Sequence, residues 1–223
     1  MRVRLAIALL TLVAACRADD PMSTDTLGPP LGSTAFRVVN AAAHPVDVVV
    51  DGQVVISGLA ARDVSQRVAF SAGAHTVRLR NAGTSGGVSM AITAAAGQTA
   101  TLAALPAGDS VSAAAIADTG AAPVAGKSKL RVIHLAASAP AIDVWRTQPD
   151  YQTPIRVMFP FAYKAQSSYL QSTPGVWVVW VTPADATAPT LASSGSVTVD
   201  AGQVTTLVIL DAPGGGVQVK VLE

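Results

Sequence analysis

Ala96-Gly97-Gln98-Thr99-Ala100-Thr101-Leu102-Ala103-Ala104-Leu105 and Ala201-Gly202-Gln203-Val204-Thr205-Thr206-Leu207-Val208-Ile209-Leu210 are two versions of one stretch, identical at six of ten positions. Taken alone, the Ala-rich run over residues 90–115 has the propensity of a helix. The second version puts Val, Thr and Ile where the first has Ala or Thr, and their branched β-carbons suit a pleated strand. Equivalent positions of a repeat share one backbone, so both stretches are read as strands.

The repeat extends upstream. Phe36-Arg37-Val38-Val39-Asn40 lies over Leu130-Arg131-Val132-Ile133-His134, and Val46-Asp47-Val48 over Ile142-Asp143-Val144. Gly73 before Val77-Arg78-Leu79 matches Gly175 before Val179-Trp180-Val181. The offset grows from 94 to 105 residues along the chain, so the second copy carries insertions, mostly between Arg146 and Ser172. Asp51-Gly52 ahead of Val54-Val55-Ile56 is a hairpin signal, and Val77 and Leu79 alternate with Arg78 and Arg80 as in a half-buried strand. Short strands at regular spacing, broken by Gly, Pro and Asp, predict an all-β protein: two tandem Ig-like antiparallel β-sandwich domains of about seven strands each. The domains are placed at residues 36–117 and 129–223, with a connector at 118–128.

The motif F-R-V-V-N-x₅-V-D-V-V-V-D-G (residues 36–52), the Ser71-Ala72-Gly73 turn and the Ala96-Gly97-Gln98-Thr99 hairpin resemble the domain of unknown function numbered 4397, in two copies. That family occurs in prokaryotic secreted and surface proteins. The resemblance implies an extracytoplasmic β-sandwich and supplies no catalytic residues to carry over. The second copy departs from the pattern where the Asp-Gly hairpin gives way to a longer segment around Pro149-Asp150-Tyr151.

Composition narrows the functions open to the chain. Half of the 223 residues are hydrophobic and 13% are charged, which is not the composition of a disordered chain. Fifteen Lys and Arg against 14 Asp and Glu leave no basic excess for a nucleic-acid backbone. The single Cys excludes an intrachain disulfide framework and a thiolate metal cage.

That Cys sits in a telling place. Arg2 and Arg4 precede an apolar or small run over residues 5–15, of signal-peptide length and too short to span a bilayer. The run ends Leu12-Val13-Ala14-Ala15-Cys16, which resembles the bacterial lipobox, with Val13 where Leu is usual. Residues 1–15 are therefore expected to be a signal peptide and Cys16 the lipidation site, with a membrane as partner through that anchor. An ordinary signal-peptidase site after Ala15, with Cys16 incidental, is the competing reading. Residues 16–35, with paired Pro29-Pro30 and no periodicity, have the composition of a flexible tether. Arg17 after Cys16 favours the outer membrane or cell surface, by analogy with the enterobacterial sorting rule.

The search for chemistry yields little. Gly108-Asp109-Ser110-Val111 invites comparison with a GDSL-type nucleophile block, but no Asp-x-x-His follows near the C-terminus, and turn residues explain the match. His44, His75 and His134 stand apart from any ligand spacing, and the Asp residues flank turns. No cofactor or metal is expected, and no catalytic residue is assigned.

One asymmetry remains: all three Trp and all three Tyr lie in the second copy. Alternation puts Val176, Val178 and Trp180 on the face that is polar in the first copy, with Trp145 on the same side as Asp143. Trp180, Val178, Trp145 and Tyr151 are thus candidate ligand- or partner-binding residues, if that apolar face is exposed. Otherwise the segment over residues 151–169, or the first domain, covers it. The sequence therefore suggests a non-catalytic, lipid-anchored envelope protein that binds another protein or a glycan. A purely structural spacer and an extracytoplasmic hydrolase are the alternatives.

Overall fold

The computed structural model describes residues 33–118, 120, 122–148 and 152–222. Cys16, nearly all of the tether and Tyr151 lie outside the described residues. The described chain forms sixteen strands and no helix. The first eight are β1 (Ser33–Asn40), β2 (Val46–Val50), β3 (Gln53–Leu59), β4 (Val68–Ser71), β5 (Gly73–Asn81), β6 (Val88–Ala94), β7 (Thr99–Ala107) and β8 (Ser110–Ala117). The second eight are β9 (Ser128–His134), β10 (Ala141–Thr147), β11 (Ile155–Ala162), β12 (Leu170–Ser172), β13 (Gly175–Pro183), β14 (Ala192–Val199), β15 (Val204–Asp211) and β16 (Val217–Leu222).

They make four sheets of four strands, ordered β4-β1-β7-β8, β3-β2-β5-β6, β12-β9-β15-β16 and β11-β10-β13-β14. Adding eight to every label of the first pair gives the second pair, so both halves are sandwiches of one topology. Each has eight strands rather than the seven expected; the longer segment after Arg146 holds β11 and β12, the counterparts of β3 and β4. Each also contains one parallel pair, β1 with β7 and β9 with β15. The seventh strand of each half crosses from the opposite sheet, and a crossover can deliver a strand parallel to its neighbour. The Asp51-Gly52 turn joins β2 to β3 as expected, with positive φ at both residues (48° and 86°), the signature of a tight hairpin turn.

The core of the first sandwich gathers Phe36, Val38, Val46, Val48, Val77, Leu79 and Leu102. That of the second gathers Leu130, Val132, Ile142, Val144, Val179, Val181, Leu207 and Ile209. Val77 and Leu79 point inward and Arg78 and Arg80 do not, as the alternation predicts.

A third apolar cluster belongs to both halves. Val39, Ala41, Ala103, Leu105 and Ile116 of the first pack with Ile133, Leu135, Val208, Leu210 and Leu222 of the second. The sheets carrying β1 and β9 therefore lie against each other, and the molecule is a stack of four sheets. This explains why β1, β9 and β15 are buried along nearly their whole length: a strand covered on both faces has no solvent side to alternate with. Lys220 Nζ on β16 also reaches Asp63 Oδ1 of the first half, at 2.9 Å.

Candidate functional site

The outer face of the second sandwich is built by pairing Trp145 on β10 with Trp180 on β13, and Trp145 with Arg156 on β11. Their side chains share one side of the sheet. The two indoles stack with centroids 6.2 Å apart and planes 12° from parallel. Trp145 Nε1 donates to Thr182 Oγ1 at 3.1 Å, which in turn donates to the Ala186 carbonyl at 2.6 Å. Beside them Arg156 lies 2.6 Å from buried Asp143 and 3.0 Å from Asp185, and covers the Phe159 ring at 4.3 Å. The result is a row running Phe159, Arg156, Trp145, Trp180.

The sequence left this face either an exposed apolar patch or a covered one. Val178 and Trp180 are only 3% and 9% exposed. Val178 is hemmed by Thr147 and Ser196 across the ladder, and Trp180 by the Trp145 ring and Ser193. Trp145 is half-buried, and Tyr151 lies outside the described residues. The segment expected to cap Trp180 supplies instead the edge strand β11, and with it the residue the sequence reading overlooked: Phe159, 58% exposed. Its only sequence signal was an aromatic in an insertion, with nothing to say which way it faced.

Asp47 and Asp143 are equivalent in the repeat but are held differently. Asp47 accepts from the Gly58 N–H at 2.9 Å, the Gly83 N–H at 3.2 Å and the Arg80 guanidinium, and these donors, Gly58 first, hold its carboxyl below the ordinary range. Asp143 has Arg156 from the neighbouring strand as its counter-charge. Arg156 Nη2 approaches off the hydrogen-bonding axis, so among the described residues neither Asp143 oxygen accepts a well-aligned bond.

The first half contains a Ser–His–Asp grouping that no sequence spacing announces. The β2–β5 register brings Asp51 beside His75, whose Nδ1 is 2.6 Å from Asp51 Oδ2. His75 Nε2 lies 2.9 Å from the Ser71 carbonyl oxygen and 3.5 Å from Ser71 Oγ. Both ring nitrogens face acceptor oxygens, an arrangement that favours the doubly protonated imidazolium form. The Asp51 hydrogen bond is the main reason the His75 pKa is raised. A ring with both nitrogens donating has no lone pair to take the Ser71 proton. The grouping ties the turn between β2 and β3 to β5. The Gly108-Asp109-Ser110 block lies at the β7–β8 turn, and among the described residues no group of three or more potential metal ligands converges.

His134 does structural work of a defined kind. Asn40 at the equivalent place accepts the Ala42 N–H on Oδ1 at 3.0 Å and donates through Nδ2 to the His44, Leu59 and Ala60 carbonyls. His134 repeats this with imidazole: Nδ1 accepts from the Ala136 N–H at 3.3 Å and Nε2 donates to the Ala139 carbonyl at 2.8 Å. One nitrogen must accept, so the ring is neutral, and burial lowers its pKa below the ordinary value of 6.5. The folded state then binds fewer protons than the unfolded state. The contribution of this residue is complete above about pH 6.5 and lost as pH falls from there toward the folded-state value. In urea melts from pH 8 to 5, His134→Asn should lose less stability on acidification than wild type. Parallel curves would show that the ring does not titrate against folding.

Fold and site together define a double β-sandwich protein whose outer sheet presents an aromatic and cationic row. A family model described as Domain of unknown function (DUF4397) matches residues 23–145, and the chain belongs to that family. The match runs through the first sandwich and into β10. No curated protein matches the chain. Among solved structures, a leucine-rich repeat protein from Bacteroides thetaiotaomicron VPI-5482 is similar at 13% identity, with a TM-score of 0.22. The alignment covers 78% of this chain and 25% of that one, so this chain spans a quarter of the length of that protein.

Proposed function

We propose that this is a non-catalytic, lipid-anchored protein of the bacterial cell envelope, with two copies of the family domain. It holds a rigid double sandwich off the membrane and binds another protein or a glycan through the outer face of the second sandwich. The observation that carries the binding part is Phe159, a large aromatic left 58% exposed beside Arg156 and Trp145. Aromatic and Arg side chains are the types that dominate binding energy at interfaces. The anchoring part rests on residues 1–16, where basic residues, an apolar run and Cys16 follow in the order of a lipoprotein leader. Removing that leader leaves 13 basic against 14 acidic side chains, a nearly neutral protein.

Phe159→Ala separates binding from folding. The side chain is exposed, so the substitution should change stability by no more than about 1 kcal/mol, the scale of an exposed cation–π contact. Protein from Ser23 onward, wild type and variant, would serve as bait in solubilised envelope from its own organism. A partner held by wild type and lost by the equally stable variant places binding on this face. A partner held equally by both moves the site elsewhere, and none held by either reduces the protein to a spacer.

A further inference from the structure

The first sandwich holds a cavity of about 330 Å³ between its two sheets, at the end where β6 finishes and β7 begins. Its walls come from β1, β4, β6, β7 and β8, and among them are Phe36, Phe70, Ile92, Ala94, Leu102 and Ala115. Phe70 is fixed edge-on between two rings, its centroid 5.2 Å from that of Phe36 and 4.8 Å from that of His75. The second sandwich differs at this place. Ala94 faces Gly73 across the ladder as Val199 faces Gly175, and Ala115 faces Leu102 as Val221 faces Leu207. The first copy therefore has alanine at two wall positions where the second has valine. Val197 and Val199 are buried in the second core, whereas their equivalents Ile92 and Ala94 are only half-buried. The Phe70 ring also belongs to the first copy alone, since Ser172 takes its place in the second.

We propose that this cavity is a binding site for a small, uncharged and mainly apolar molecule of the size of a fused double ring. A cavity of about 150 Å³ accommodates benzene, and small-molecule sites begin at about 300 Å³, with apolar and aromatic walls and few polar groups. Among the described residues that line the cavity, none is charged. An ionic ligand would lose its water there with no counter-charge to replace it, so the occupant is neutral. Exposed Thr93 and Gln98 and half-buried Thr99 place two hydroxyls and a carboxamide where the cavity meets solvent, enough to bond one hydroxyl or carbonyl of the ligand. The rings of Phe36 and Phe70, already edge to face with each other, suit an aromatic guest. Wall atoms beside unfilled space lack dispersion partners, and a guest supplies them. The site lies in the other sandwich from Phe159 and does not depend on binding there.

The test titrates 2-naphthol, an uncharged fused ring, into protein from Ser23 onward, which includes every described strand, by isothermal calorimetry at neutral pH. Saturable binding is expected, with 2-naphthoate, the same ring carrying a carboxylate, weaker by about tenfold or more. Ala94→Val and Ala115→Val each put the second copy's side chain into the wall. At least one of them should weaken 2-naphthol by about tenfold or more while its thermal midpoint holds or rises, because the added methyls enter free space. Phe159→Ala should bind 2-naphthol as wild type does. Absence of saturable binding in wild type, unchanged affinity in both valine variants, weakened binding in Phe159→Ala, or naphthoate held as tightly as naphthol overturns the proposal. So does a lowered midpoint in both valine variants, which would show the wall to be already packed.

Discussion

Trp180→Ala is expected to cost about 3–5 kcal/mol of folding stability, the range for truncating a large aromatic in a packed site. The indole is 9% exposed and stacked on Trp145, so its removal opens a void that the ladder between β10 and β13 cannot close. The measurement is urea unfolding followed by tryptophan emission, which reports the second sandwich because Trp145, Trp177 and Trp180 all lie there. The midpoint should fall with the slope unchanged, the pattern of a pure stability loss. A loss below about 1 kcal/mol would place the ring at the surface and return it to the list of binding candidates.

Asp118→Ala should be comparably damaging. Removing one partner of a buried ion pair costs about 3–5 kcal/mol, because the opposite charge stays in place without it. Here one carboxylate serves Arg37 on β1 and Arg131 on β9, and Thr101 on β7 bonds it as well. The loss is thus shared between the two halves. Intrinsic fluorescence for the second sandwich and far-ultraviolet dichroism for both should show one coincident transition at a lower urea midpoint. Separate transitions would mean that the contact between the halves does not couple them. Asp118→Asn keeps an acceptor for Thr101 and should fall between wild type and Asp118→Ala, with the difference narrowing as salt screens the arginines.

The repeat made most of the fold readable. Aligning Ala96-Gly97-Gln98 with Ala201-Gly202-Gln203 turned an ambiguous Ala-rich run into β6, β7 and β8, and Asp51-Gly52 located the first hairpin. The contact between the halves was harder to see. Val38-Val39 and Val132-Ile133 show that both faces of a strand are apolar, but not what the second face meets. The same limit left Trp180 undecided between an exposed and a covered face. Its equivalent, Arg78, is polar; the stacking with Trp145 that buries the indole depends on a cross-strand register no sequence spacing reveals. The Asp51–His75–Ser71 grouping was hidden for the same reason, since Asp51 meets His75 only through the β2–β5 ladder.

Val39 and Ile133, Ala41 and Leu135, Ala103 and Val208, Leu105 and Leu210 are equivalent pairs of the repeat, and all eight residues lie in the cluster shared by the two sandwiches. Each half thus buries the same patch that the other does, which is how the two subunits of a symmetric homodimer meet. A single sandwich cut free would expose that patch, and its burial would then depend on protein concentration. The connector over residues 118–128 makes the encounter intramolecular, at an effective concentration on the order of millimolar for a short linker. The chain therefore carries its own dimer partner: its interface survives any dilution, and the two outer sheets are always presented in fixed relation, one of each per molecule.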